Sequence, residues 1–152
     1  MPKASVKRLI ECEKDDLIKL VLDIEKYPEF VPFCFDAKVY EEKNQGDLKK
    51  IIADLTIGKG PFKDTYKSDV VLDKRKDTIF VKNIEGPLNH LSNNWTFTDK
   101  QNGITEIAFD IDFEIKNKFL NSLMVVSFQF GLEKIADAFQ KRAEELFGSS
   151  KN

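Results

Sequence analysis

The side chains that could do chemistry in this chain are few, and their spacing does not suit it. There is one histidine, His90, and there are two cysteines, Cys12 and Cys34. A zinc site of ordinary type needs a larger cluster of such ligands, so no metal is expected. Cys34 has no histidine beside it in a recognisable nucleophile setting. Asp110, Asp112 and Glu114 recur at every second position, which on a strand puts them on one face. Apolar residues stand between them, so the carboxylates must face water and read as a solvated face, not an acid–base pair. Gly58-Lys59-Gly60 is too short for a phosphate loop and joins two strand-like runs. His90 falls in a turn-like segment and is expected to be exposed and without a role. No catalytic residue and no cofactor are expected, and the chain reads as a binding protein, not an enzyme.

What the chain has in excess is phenylalanine: Phe 13, beside Tyr 3 and Trp 1. Such a bias suits an apolar cavity, and it suits a phenylalanine-rich core equally. Two stretches concentrate it. One is Tyr27-Pro28-Glu29-Phe30-Val31-Pro32-Phe33-Cys34, two prolines interleaved with aromatics. The other is Glu85-Gly86-Pro87-Leu88, followed by Leu91 and Trp95-Thr96-Phe97.

The elements that must position these residues are legible from periodicity. From Lys118 to Phe147 there is no proline and one glycine, Gly131, within a continuous helical pattern. Leu120, Met124, Phe128, Ile135 and Phe139 form one stripe; Phe119, Leu123, Val126 and Phe130 form another. The first half of this helix is thus apolar almost all round and must be buried on more than one side. It is too short for a membrane span before charges return. Before it, strands are expected over Ala4–Glu11, Phe35–Glu42, Leu48–Ile57, Phe62–Leu72, Thr78–Ile84, Leu91–Thr98 and Thr105–Ile115. A short helix is expected over Asp15–Asp23, with Leu17, Leu20, Val21 and Ile24 inward and Tyr27-Pro28 as its stop. The last strand alternates Ile107, Phe109, Ile111, Phe113 and Ile115 with Ala108 and the acidic residues, one dry face and one wet. A curved antiparallel sheet gripping the long helix is the economical solution, and excess curl leaves a cavity. Gly131 costs about 1 kcal/mol relative to alanine at mid-helix, which points to a close approach by a strand or to a kink.

A length of 152 residues, 41% of them hydrophobic and 33% charged, fits one globular domain over 1–148 with a short tail at 149–152. A net charge of -2 with interspersed lysines gives no reason to expect direct nucleic-acid binding. No signal peptide is read before Ala4, and both cysteines read as small buried thiols in a reducing cytosol.

With Phe113-Glu114-Ile115-Lys116-Asn117 leading into the helix, the two aromatic stretches make the chain resemble the coenzyme Q-binding START-like family. That family is of polyketide cyclase/dehydrase type and includes ribosome association toxins. The resemblance covers Ala4 to Phe147, with departures at Leu88, where phenylalanine is more usual, and at Glu13, where a small hydroxyl cap is. It implies an α+β helix-grip fold, a seven-stranded sheet around the C-terminal helix. It also implies a cavity for an isoprenoid lipid, ubiquinone first, which the protein would chaperone or deliver to support respiration. Residues expected to meet that ligand are Tyr27, Phe30, Phe33, Tyr66, Trp95, Phe113, Leu120 and Met124. Trp95 and Tyr66 read more readily as core than as ligand contacts, and the Tyr27–Phe35 segment equally as a plug or a gate. Transient contact with the cytoplasmic side of an inner membrane would follow. The resemblance leaves two alternatives open: a regulatory partner of the ribosome, and a cyclase-like enzyme.

Overall fold

The computed structural model describes residues 3–59, 61–85, 88–116 and 118–147; within them the side chains of 59, 62, 85, 88, 89, 113, 115 and 119–129 are not described. The chain runs β1 (Lys3–Glu11), α1 (Lys14–Leu22), α2 (Tyr27–Phe30), β2 (Cys34–Gln45), β3 (Leu48–Lys59), β4 (Phe62–Asp73), β5 (Thr78–Glu85), β6 (Leu88–Asp99), β7 (Ile104–Ile115) and α3 (Lys118–Phe147). A 3-10 turn, Ile24–Lys26, joins α1 to α2. All seven strands form one antiparallel sheet in the order β1-β7-β6-β5-β4-β3-β2. The helix-grip arrangement stands: the sheet curves around α3, which packs chiefly against β1 and also against β7, α1 and α2.

The sheet forms because alternation gives each strand one apolar face, and hairpins bring those faces into register. Trp95 sits between Ile79 of β5 and Phe109 of β7, all pointing inward. Turn residues set the hairpins. Gly46 adopts φ +61 between β2 and β3, and Gln101, Asn102 and Gly103 all have positive φ between β6 and β7.

At both edge strands, side chains from helical segments cap single backbone groups that would otherwise be open to pairing. At β1, the Glu11 N–H donates to Glu144 Oε2 at 3.1 Å, and Gln140 Nε2 donates to the Leu9 carbonyl at 3.2 Å. Arg8 pairs with Asp137 alongside. At β2, the Val39 N–H donates to Glu25 Oε2 of the 3-10 turn at 2.9 Å, beside a bulge.

Several local expectations are corrected. Tyr27-Pro28 does not break helical structure: α1 has already ended at Leu22, and Tyr27 is helical at φ -53, ψ -42. Pro28 falls in the first turn of α2, where its missing N–H removes no helical bond. Glu13 does occupy the cap position of α1, without a side-chain cap bond. His90 lies on β6, half-buried, with Nε2 3.8 Å from Asp112 Oδ2. Cys12 is buried as expected, but Cys34 is only half-buried. Phe130 is 63% exposed rather than wrapped. At Gly131, among the described residues, no strand approaches closely: the nearest atom to an added Cβ is Phe33 Cε2 at 3.6 Å, an ordinary contact.

Candidate functional site

The inner face of the sheet is not evenly filled. On β3, Ile51 and Ala53 are fully buried, whereas Leu55 and Ile57 are only half-buried. On β5, Ile79 is fully buried and Val81 is half-buried. On β7, Ile107 is fully buried, Phe109 is buried and Ile111 is half-buried. All three gradients run the same way, toward the end of the sheet where α3 begins.

The filled end is organised by Phe139. Its ring meets Phe30 at 5.1 Å, Tyr27 at 5.5 Å and Trp95 at 5.1 Å, each edge to face. Such pairs add to simple burial. Leu132, Ala136, Phe139 and Ala143 make the buried stripe of α3 at helical spacing. Tyr27 donates its hydroxyl to the Val21 carbonyl, and burial pushes its phenol pKa well up. Arg142 ties α2 down by bonding Glu29 at 2.9 Å and covering the Phe30 ring. Three of the expected ligand residues, Tyr27, Phe30 and Trp95, are therefore gathered around one aromatic hub.

Polar groups mark the middle of the face. The Trp95 indole N–H donates to Asn93 Oδ1 at 2.8 Å, and Asn93 Nδ2 donates to the Asp110 carbonyl at 2.8 Å. Ser68, fully buried, donates to the Ala53 carbonyl. These bonds satisfy groups that would otherwise be costly to bury.

Beyond them lies a second apolar cluster of Tyr66 and Leu91, ringed by half-buried Leu55, Ile57, Val81 and Ile111. Burial pushes the Tyr66 phenol well up as well, so it stays a neutral hydroxyl at any physiological pH. Phe33 is half-buried at the rim and holds φ +70, a backbone region that a bulky L-residue rarely adopts. Its carbonyl accepts the Gly58 N–H at 3.0 Å, which ties the tip of this segment to β3. The side chains of Phe113, Leu120 and Met124 lie outside the described residues, as does that of Leu88; the register sets Phe113 opposite Leu91.

Two open hollows of about 430 and 360 Å³ lie elsewhere, one along Asp137, Gln140, Lys141, Glu144 and Glu145, the other between Leu22–Glu25 and Val39–Glu42. Both are lined mainly by polar and charged residues, unlike the inner face. Asp110, Asp112 and Glu114 do face outward; desolvation raises the Asp110 pKa. Among the described residues no group of three or more metal-ligating side chains occurs.

Sequence reasoning missed Phe139 as the hub and Asn93 as the buried partner of Trp95. The signal for Phe139 was present, since it is the last aromatic on the inner stripe of α3. Asn93 sits between Leu91 and Trp95 in the inward register, and that alternation was the available clue.

Comparison with known proteins agrees with this architecture. Residues 10–140 match the family described as polyketide cyclase / dehydrase and lipid transport. The chain is 31% identical over 142 residues to a ribosome association toxin, RatA, of Rickettsia prowazekii, covering 91% of this chain and 94% of that protein. It is 32% identical over 140 residues to the mitochondrial coenzyme Q-binding protein COQ10 of Dictyostelium discoideum, covering 90% of this chain and 66% of that protein. Among solved structures, a START superfamily protein of Mycobacterium smegmatis superposes with a TM-score of 0.80 at 18% identity, over 95% of this chain and 98% of that one, a likeness of fold. From the match over most of its length, the chain belongs to the polyketide cyclase / dehydrase and lipid transport family.

Proposed function

We propose that this protein binds an isoprenoid quinone, ubiquinone first, at the α3-proximal end of its inner sheet face, and carries it to or from a membrane in support of respiration. One observation carries the reading: on three alternate strands of the sheet, β3, β5 and β7, the apolar residues go from fully buried to half-buried toward that end. Apolar surface left half-covered inside a fold is surface a ligand can cover. Similarity to a coenzyme Q-binding protein supports the choice of ligand.

In this reading Tyr66, with Phe113, Leu120 and Met124, forms the wall. Trp95 forms the floor with its ring on the hub. Tyr27, Phe30 and Phe33 form the closing segment, anchored at α2 through Tyr27 and Phe30 and tied to β3 through the Phe33 carbonyl. The Tyr66 hydroxyl offers a neutral hydrogen bond to a quinone carbonyl.

Energetics favour a carrier. Burying about fifteen isoprenoid carbons at about 0.8 kcal/mol each gives on the order of 10 kcal/mol relative to water. Relative to a bilayer the gain is near zero, because lipid tails are equally apolar. Loading and release then need no energy source, only contact with a membrane. Among the described residues no helix is long and apolar enough to cross one. We place the protein at the cytoplasmic side of an inner membrane, as a binding protein and not an enzyme.

The test uses the single tryptophan. Titration with a short-tailed ubiquinone should quench Trp95 emission saturably, and Tyr66→Phe should weaken the quinone without weakening a prenol of equal length. Absence of saturable binding by any quinone or prenol would remove the proposal. Similarity to a ribosome association toxin favours a second reading, a regulatory role on the ribosome. Sedimentation profiles of ribosomes after overexpression separate the two, since a pure lipid carrier should leave them unchanged.

A further inference from the structure

We propose that the seam between Phe33 and α3 is a membrane-docking edge, in which Phe35 and Phe130 enter the interface of an anionic lipid surface and Lys63 and Lys134 hold its headgroups. The proposal rests on the carrier reading above only for the cargo; the docking itself is argued from the surface.

Phe130 is 63% exposed and Phe35 is 45% exposed. They belong to different elements, β2 and α3. Phe130 directly precedes Gly131, which the Phe33 ring approaches, and Phe35 follows Phe33 by two residues. Each ring carries an ammonium. Lys63 Nζ stands 4.1 Å from the centroid of Phe35, and Lys134 Nζ stands 4.8 Å from that of Phe130. Both lysines are exposed. Among the described residues neither Lys63 nor Lys134 forms an ion pair with a carboxylate. An aromatic ring beside a lysine is the combination that partitions to the membrane–water boundary: the ring enters the headgroup layer and the long aliphatic stem carries the charge to the phosphates.

A third exposed aromatic provides an internal contrast. Tyr40 is 52% exposed and has Lys38 and Lys67 at 5.0 and 5.2 Å from its ring. Its hydroxyl, however, bonds Asp54 at 2.6 Å, and Asp54 pairs in register with both lysines. Charge at Tyr40 is matched within the protein; at Phe35 and Phe130 the rings have no polar atom, and each ammonium lies over its ring. Asp36, Asp64 and Glu133 lie nearby, so the edge is not strongly basic and its attachment should be weak and reversible, as a carrier needs. A net charge of -2 and two separated ring–lysine pairs suit a lipid surface better than RNA, which calls for a broad basic patch.

Co-sedimentation with vesicles tests this. The full chain should bind phosphatidylcholine vesicles containing phosphatidylglycerol, should bind pure phosphatidylcholine far less, and should be released by salt. Lys63→Glu with Lys134→Glu should weaken binding by about 25-fold or more, taking roughly fivefold for each lysine near an anionic surface. Phe35→Ser with Phe130→Ser should abolish it at an unchanged melting temperature. Wild-type protein that ignores anionic vesicles would overturn the proposal, as would charge reversal without effect, or sedimentation with ribosomes through these same residues instead of with vesicles. The lysine variant should still quench with short-tailed ubiquinone as wild type does. Vesicle binding without any quinone binding would sink the cargo and leave the docking edge standing.

Discussion

The two ends of the inner sheet face are built from the same alternating pattern and have different fates. Around Phe139 the face is closed by side chains from α1, α2 and the second half of α3, and Ile10, Leu17, Ile51, Ile79 and Ile107 are fully buried. Around Tyr66 and Leu91, Leu55, Ile57, Val81 and Ile111 stay half-buried. The difference arises from what faces each strand, not from the strands. Apolar alternation specifies which face is dry; it does not say whether protein or ligand completes it. One end holds the fold, and the other is where we propose that the ligand binds.

The largest effect should come from the hub. Phe139→Ala removes the ring that Tyr27, Phe30 and Trp95 share and should cost about 3–5 kcal/mol by denaturant unfolding. A cost below about 1 kcal/mol would mean that the two ends do not differ as described.

A matched pair of insertions probes the contrast directly. Ala53→Trp overfills the packed region and should destabilise by about 1–3 kcal/mol or more. Ile57→Trp, on the same strand face, should cost under about 1 kcal/mol and should compete with quinone. Equal costs at the two positions would erase the distinction.

Trp95→Phe keeps the ring stack and removes the indole donor, leaving buried Asn93 with an unmet acceptor. About 1–2 kcal/mol should be lost, with quinone affinity nearly kept. Affinity falling more than stability would move Trp95 from floor to direct contact.

The smallest effect concerns pH. Burial pushes the thiols of Cys12 and Cys34 up to about 11 from an ordinary value near 9. Their folded-state pKa is raised, so the stability they contribute is complete below pH 9 and is lost as pH rises toward 11. Unfolding curves should therefore be flat with respect to these groups at neutral pH and decline over that window. In a variant with serine at both positions this part of the decline should disappear.

The sequence carried the fold further than the site. The Lys118–Phe147 helix and the alternation from Ile107 to Ile115 depend on local periodicity, and both elements formed as read. Tyr27 departs from the expectation because the bias of a residue before proline away from helix is a preference, overridden here where a one-turn helix starts with Pro28 in its first turn. Glu25 and Glu144, which cover the sheet edges, carry no local signal, since their partners Val39 and Glu11 are set by tertiary placement. Phe130 reads as apolar stripe and emerges at the surface because the helix turns that position away from the sheet. Period identifies a face; only the packed neighbours decide what the face meets.

The central claim is that the Tyr66 end is completed by a lipid. Native mass spectrometry of the full chain, purified without detergent from a quinone-producing host, tests it most directly. The account predicts one bound isoprenoid quinone per chain in the wild type and none in Ile57→Trp at an unchanged fold. A wild-type protein that carries no lipid, and takes up none when quinone-loaded vesicles are added, would contradict it.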